Sequence, residues 1–188
     1  MRIIGIDPGT AIVGYGIIEF DKNKYTTIDY GVITTDKKLA MEERLLIIFE
    51  KLEELLDKYK PEYMAIEDLF YFKNNKTVIS VAQARGIIIL AAKKRNIPVS
   101  SYTPLQVKIG ITGYGKAEKK QIQQMTQKFL SLDEIPKPDD AADGLAIAIT
   151  HVNSLNSRIN FTSVENLKKI KTNSNKITLA EYKKLLKN

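Results

Sequence analysis

The sequence predicts an α/β domain built around a mixed β-sheet. Three strand-like segments come first, at residues 2–7, 13–20 and 25–34, and helix-like and strand-like segments alternate after them. This order is typical of a sheet with helices packed on its faces. The 188 residues, of which 44% are hydrophobic and 27% charged, fit one ordinary globular domain.

The first half of the chain contains three predicted strands, one helix and a fourth strand. Residues 21–24 form the polar loop of a hairpin between the second and third strands. Gly14 and Gly16 lie within the second strand and indicate either a bend or the close approach of another backbone. Leucine and isoleucine residues at helical spacing predict a helix over 40–59, and a short buried strand follows at 62–67.

The second half predicts a helix over 75–95, a strand over 97–101 and two further helices over 117–131 and 140–153. The connection at 104–116 is predicted to be a loop because it contains one proline and three glycines.

The net charge of +7 is distributed unevenly along the chain. Asn, Ser, Thr and Lys dominate the end of the sequence, so we expect a folded domain at 1–153 and a basic extension at 154–188 that is partly helical or disordered. Residues 155–188 contain eight Lys and Arg against two Glu, which gives +6, and the rest sums to +1. The extension could attract DNA non-specifically or simply keep the chain soluble.

Within the body, five lysines form a local basic patch against a single glutamate between residues 108 and 128. Such a patch favours contact with a polyanion, and a solvated helix face is the alternative interpretation. The lysines are Lys108, Lys116, Lys119, Lys120 and Lys128.

Four acidic residues are the most informative feature of the sequence. Asp7 and Glu67 each end an apolar run, and Asp140 and Asp143 lie three residues apart at the start of a helix-like stretch. Carboxyl ends of strands are where α/β sheets usually bind ligands, and positions three apart share one face of a helix. Asp68 should point to the opposite side of its strand from Glu67. The alternatives are a turn-capping role for Asp7 and a helix-capping role for Asp140 or its neighbour Asp139.

Carboxylates that converge raise each other's pKa unless a hard cation neutralises them. Oxygen ligands suit Mg²⁺ or Mn²⁺, and two divalent ions would balance four carboxylates and could support phosphodiester hydrolysis. The chain has no cysteine, and its single histidine, His151, is interpreted as a structural helix residue. Neither a Walker-type phosphate loop nor a serine triad is present in the sequence.

Several segments in order resemble the RuvC family of Holliday-junction resolvases. They are GIDPGT with GYGII behind it, AIEDLFYFKN, AQARGIIILAA, QVK, GYGKAEK and DAADGLAIAITH, and they cover roughly residues 1–153. The resemblance implies an RNase H-like fold with a five-stranded mixed sheet flanked by helices. It also implies a homodimer that nicks two strands of like polarity symmetrically across a four-way DNA junction, in recombination and repair, with two Mg²⁺ ions per active site or Mn²⁺ as a substitute.

The family's functional positions correspond to particular residues of this chain. Its catalytic, metal-binding acids correspond to Asp7, Glu67, Asp140 and Asp143. The implied DNA contacts are an aromatic that probes the junction, at Phe70, and the lysines Lys108 and Lys119, to which Lys116 adds a charge in a glycine-bearing loop. Residues 82–92 correspond to the dimer-forming helix, and core packing within one chain explains the same small residues. Gly144 stands where family members often have alanine and should loosen the start of the last helix.

The resemblance also makes the RuvA–RuvB branch-migration complex a candidate partner. Two other functions compete with junction cleavage. One is an ATPase or kinase of the actin-like superfamily, because GIDPGT resembles its phosphate-binding turn. The other is a branched-DNA-binding protein without catalysis.

No apolar run approaches the ~20 residues that cross a bilayer, and MRIIGIDPGT reaches an acid too early for a secretory signal. We therefore expect a cytoplasmic protein without membrane contact.

Overall fold

The computed structural model describes residues 1–69 and 78–156. The chain divides into two units, Met1–Val152 and Asn153–Asn188, and the fold described below is that of the first. The predicted DNA-contacting Phe70 and the predicted basic extension beyond residue 156 lie outside the described residues.

A mixed five-stranded sheet forms the centre of the domain, as predicted. Its strand order is β3-β2-β1-β4-β5, in which β1, β2 and β3 are antiparallel and β4 and β5 run parallel to β1. The strands are β1 (Arg2–Asp7), β2 (Ile12–Asp21), β3 (Lys24–Thr34), β4 (Tyr63–Glu67) and β5 (Val99–Tyr102). The carboxyl ends of β1 and β4 therefore meet at one edge of the sheet.

Five helices complete the described part of the domain. They are α1 (Met41–Tyr59), α2 (Val78–Lys94), α3 (Pro104–Thr112), α4 (Lys119–Leu130) and α5 (Asp139–Asn156). Across the described residues, no helix combines the length and apolarity that crossing a membrane requires.

The α1 and α2 helices cover one face of the sheet. Alternate residues of the strands point toward them, and these side chains form a core that excludes water completely at most positions. Its main members are Ile4, Ile6, Val13, Ile17, Ile48, Leu52, Leu56, Met64, Ile66, Ala84 and Ile88.

The α5 helix covers the other face at unusually short range, because glycines line the contact on both sides. A Cβ atom on Gly14 would collide with the main-chain carbonyl of Asp140, and one on Gly16 would lie 2.5 Å from the amide nitrogen of Leu145. On the helix, a Cβ on Gly144 would lie 2.6 Å from the carbonyl carbon of Tyr15. The expectation that Gly144 only loosens the helix is therefore incomplete, since the missing side chain lets the two backbones touch.

The prediction of a loop over residues 104–116 was wrong, because α3 occupies most of it. Thr103 begins the helix with a capping box, in which its hydroxyl accepts from the Gln106 amide and the Gln106 side chain accepts from the Thr103 amide. Gly113 ends it in the left-handed region at φ 70°. Gly110 is a packing position rather than a breaker, since a Cβ there would lie 2.7 Å from Thr150 Cγ2.

The substitution Gly14→Ala tests the close contact between β2 and α5. The new methyl group meets main-chain atoms of Asp140 that cannot rotate away. We therefore expect a loss of about 1–3 kcal/mol in the free energy of unfolding, measured by urea denaturation. Gly31→Ala in β3 is the matched control, because its Cβ meets only the end of the Tyr15 side chain, at 2.9 Å. Equal losses in the two variants would contradict the assignment.

Candidate active site

Asp7 lies at the end of β1 on the side of the sheet that faces α5. Side chains alternate along a strand, so Asp7 shares a face with Gly5, which is pressed against α5, whereas Ile6 points into the core under α1 and α2. Asp7 pairs with Gly14 across the β1–β2 ladder, and the backbone of Asp140 lies directly over Gly14. The glycine contact thus brings the start of α5 to the end of β1.

Glu67 ends β4, the parallel neighbour of β1. Ile6 is aligned with Ile66 in the register, so the next residues, Asp7 and Glu67, lie side by side. Their carboxyl groups share a hydrogen bond. Burial, then the nearby charges of Glu67 and the two α5 acids, raise the pKa of Asp7 from an ordinary 3.8 to about 8. The raised pKa values favour a proton shared between the two carboxyl groups near neutral pH.

Asp140 lies in the first turn of α5, and Asp143 lies three residues further on, on the same side of that helix. Both contribute negative charge at Asp7, which shows that the four predicted acids converge. Burial raises the pKa of Asp143, and the neighbouring Lys119 opposes that shift. The first turn is closed by the Pro138 carbonyl, which accepts from the amides of Ala141 and Ala142 at 3.0 and 3.2 Å. The helix dipole further favours carboxylates at this end of α5.

Lys119 lies within ion-pair distance of the acids at the start of α5. Its Nζ lies 3.2 Å from Asp143 Oδ2 and 3.3 Å from Asp139 Oδ2. Burial works against the charged form of Lys119, but the charge of Asp143 and hydrogen bonds to both acids outweigh it and raise its pKa. Sequence analysis gave Asp139 only a capping role. Its position four residues before Asp143, on the same helix face, is the signal that could have linked it to Lys119.

A cleft of about 180 Å³ opens beside the acids. Glu67, Asp143, Lys108 and Lys119 supply its polar lining, and Pro104, Val107, Ile122 and Ile147 its apolar lining. The structure therefore brings two of the three predicted DNA-contacting lysines to the acids. Lys116 does not line this cleft, and its side chain is exposed in the turn between α3 and α4.

His151 is buried in α5, away from the acids. Its Nδ1 lies 2.8 Å from the Tyr102 hydroxyl, and its ring packs 5.3 Å from that of Tyr63. Burial lowers the pKa of the imidazole and favours its neutral form. These contacts agree with the structural interpretation of this histidine.

Three of the four acids are partly neutralised by partners within the chain. Asp7 shares a proton with Glu67, and Asp143 faces Lys119. In this arrangement, no three His, Asp or Glu side chains of residues 1–69 and 78–156 have the spacing that holds a metal ion. The donor set itself fits a hard divalent cation, since it consists of carboxylates in a partly buried cleft that favours their neutralisation.

The mixed sheet, with acids at the ends of its first and fourth strands and on the last helix, defines a nuclease of the RNase H-like class. The family model for crossover junction endodeoxyribonuclease RuvC matches residues 3–151. The chain therefore belongs to the RuvC family of crossover junction endodeoxyribonucleases.

Curated relatives support this membership along the whole chain. The RuvC of Fusobacterium nucleatum is 71% identical over 189 residues and covers 100% of both chains. The RuvC of Caldanaerobacter subterraneus is 54% identical over 156 residues, which are 83% of this chain and 94% of the relative.

Solved structures support the fold. Thermus thermophilus RuvC is 33% identical with a TM-score of 0.78, and the match covers 82% of this chain and 95% of that one. The same protein in complex with Holliday junction substrate gives a TM-score of 0.79 at 33% identity, over 82% and 94% of the two chains. A yeast mitochondrial Holliday junction resolvase shares only the fold, with a TM-score of 0.60 at 16% identity over 80% and 77% of the chains.

The raised pKa of Asp7 predicts a pH-dependent stability of the protein in EDTA. The folded chain keeps a proton that the unfolded chain releases near pH 4, so the free energy of unfolding should fall as the pH rises from about 4 to about 8. Asp7→Asn removes this group, and the variant should gain stability relative to the wild type as the pH rises through this range. Urea denaturation between pH 5 and pH 8.5 measures the difference. The exposed Asp133→Asn serves as control, and parallel curves for Asp7→Asn and the wild type would contradict the shared proton.

Proposed function

We propose that this chain cleaves four-way DNA junctions by divalent-metal-dependent hydrolysis of phosphodiester bonds, with Asp7, Glu67, Asp140 and Asp143 as the metal-binding acids. The observation that carries the proposal is the convergence of three carboxylates on the partly buried Asp7, whose pKa rises to about 8. The RuvC structure from Thermus thermophilus with Holliday junction substrate supports the choice of DNA.

The charge of the acid set favours Mg²⁺ as the cofactor, with two ions as the number that balances about four negative charges. When bound, the ions would activate a water molecule and stabilise the leaving oxygen. Asp7, at which the charges of the other three acids act, would hold the metal together with them. The shared proton of Asp7 must leave when a cation binds, since metal ligation requires the carboxylate form.

The two lysines of the cleft supply positive charge to the DNA backbone. Lys119 remains protonated at neutral pH because the acids of α5 raise its pKa. Its ion pair with Asp143 can be exchanged for a phosphate group once that carboxylate has a cation as its partner. Lys108 lines the same cleft from α3 and can contact a phosphate from the other side. Both lysines thus lie where DNA would meet the acids.

Neither competing function accounts for the structure as well. The match to a nuclease family over residues 3–151 occupies almost the whole described chain and disfavours an actin-like ATPase or kinase. A purely DNA-binding protein has no use for four clustered carboxylates, which repel the phosphate backbone.

The Asp7→Asn substitution tests the catalytic assignment. We expect the rate of junction nicking in Mg²⁺ to fall at least about 100-fold, since even outer partners of metal ligands cost 10–100-fold. Binding of the junction should persist, because the change removes a negative charge near the phosphates. Asp133→Asn makes the same chemical change at an exposed residue that does not line the cleft, and this control should nick at close to the wild-type rate. Normal nicking by Asp7→Asn would refute the acid site.

We further propose that two copies of the chain associate through α2, giving two active sites related by a two-fold axis. One face of this helix carries large apolar side chains in water, with Ile79 75% exposed and Leu90 60% exposed. Gly86 lies on the same face, and a Cβ there would have no neighbour within 4 Å. Such a face is typical of a surface that a partner covers. A two-fold dimer matches symmetric nicking of two strands.

The Leu90→Asp substitution tests this surface. A carboxylate at the centre of an apolar interface is costly to bury, so we expect a monomer at micromolar concentration in sedimentation analysis. Leu46→Asp on α1 is the matched control, since Leu46 is 55% exposed on a helix outside the proposed interface. If Leu90→Asp sediments as the wild type does, α2 is not the dimer surface.

A further inference from the structure

One arginine side chain of α2, that of Arg85, reaches the end of β4. Arg85 Nε donates to the main-chain carbonyl of Glu67 at 3.3 Å, and its Nη2 donates to Ser101 Oγ at 2.6 Å. The same Nη2 lies 3.2 Å from Asp68 Oδ1. One side chain therefore joins the helix, the acid-bearing end of β4 and the adjacent strand β5.

Asp68 completes this cluster on the side facing away from the acids. Its Oδ1 also accepts from the Leu69 amide at 3.1 Å, and its own amide donates to the Tyr102 carbonyl at 2.8 Å. Glu67 hydrogen-bonds Asp7 on the opposite face, as strand alternation requires. The peptide unit that follows Glu67 is thus held by Arg85, while the Glu67 side chain takes part in the acid site.

We propose that Arg85 is a positioning residue for cleavage, which fixes Glu67 beside Asp7 by holding its carbonyl group and the following carboxylate. This inference rests on the proposed role of Glu67 as a metal-binding acid. The strand β4 ends at Glu67, and beyond it one main-chain hydrogen bond, from the Asp68 amide to the Tyr102 carbonyl, ties the chain to β5. Arg85 adds a side-chain restraint at the same point, on the Glu67 carbonyl and the Asp68 carboxylate. It also makes the position of Glu67 depend on α2, the helix that carries the proposed dimer face.

A second arginine, which directly follows the last residue of α2, distinguishes positioning from simple stabilisation. Arg95 forms two 2.7 Å bonds to Asp57 and one to Glu53. Its side chain is 20% exposed, against 19% for Arg85. Both arginines tie α2 to its surroundings with similar burial, but Arg95 contacts α1 only through carboxylates far from the acid site. Arg95→Ala is therefore the matched control.

The experiment compares Arg85→Ala, Arg85→Lys and Arg95→Ala as full-length chains. For Arg85→Ala we expect kcat for junction nicking to fall about 10–100-fold, as for other groups that orient metal ligands. The Mg²⁺ concentration for half-maximal rate should rise, while KM for the junction stays near the wild-type value. Arg85→Lys keeps the charge near Asp68 but loses the paired hydrogen bonds to Glu67 and Ser101. Its kcat should therefore lie between that of Arg85→Ala and that of the wild type.

A second measurement does not depend on catalysis. The shift in unfolding temperature caused by Mg²⁺ without DNA reports how well the acids bind the ion. It should shrink in Arg85→Ala and stay at the wild-type value in Arg95→Ala, although both variants lose stability in EDTA.

The possible results separate the two proposals. If Arg85→Ala matches Arg95→Ala in kcat and in its response to Mg²⁺, Arg85 has a structural role only and the inference is overturned. If Arg85→Ala does not fold, Arg85→Lys decides, and a wild-type kcat and Mg²⁺ response in that variant overturn it as well. A wild-type chain that fails to nick junctions, or an Asp7→Asn variant that nicks them normally, would instead overturn the proposed function.

Discussion

The contact between α5 and the first two strands is the constraint on which the site depends. Two acids of the set are fixed to the sheet, and the other two are fixed to a helix, so the distance between backbones decides whether they meet. Glycines on β1, β2 and α5 remove the side chains that would otherwise keep the helix away from the sheet. Gly14 is the clearest case, because it lies under Asp140 and beside Asp7 at once. Both the packing of α5 and the assembly of the acids therefore require a residue without a side chain at position 14.

Bringing the acids together creates a charge problem that the chain solves locally. The net charge of +7 does not help, because residues 1–154 carry only +1 of it. Asp7 and Glu67 share a proton, and Lys119 faces Asp143 from the first turn of α4, where the helix dipole disfavours a cation. The shared proton and Lys119 bind carboxylates that a divalent ion would also bind. Protons, the lysine and metal ions thus compete for the same carboxylates, and DNA phosphate competes with Asp143 for the lysine.

Strand alternation and apolar runs were sufficient to predict the mixed sheet and the convergence of the four acids. They were sufficient because an acid that ends a buried strand must lie at the edge of the sheet, and because Asp140 and Asp143, three residues apart, share one face of a helix. The α3 helix was missed because its glycines, Gly110 among them, were taken as helix breakers. The structure shows that Gly110 is a glycine because Thr150 packs against it, and a sequence alone does not show that contact. Arg85 was missed for a similar reason. Its partners lie 16 to 18 residues away in sequence, and no local pattern links a helix arginine to a particular strand carbonyl.

The sheet separates two tasks, and the end of β4 is where they meet. The α1–α2 face contributes most of the hydrophobic core and, by our proposal, the dimer surface, whereas the α5 face carries the acids and the cleft lysines. Glu67 and Asp68 are adjacent acids that point to opposite faces. Glu67 contacts Asp7 in the acid site, and Asp68 pairs with Arg85 on the side of α2. Through Asp68, Arg85 relates the position of Glu67 to the helix that the second copy would contact. By our proposals, one helix therefore carries both the surface that a second copy contacts and the arginine that positions Glu67.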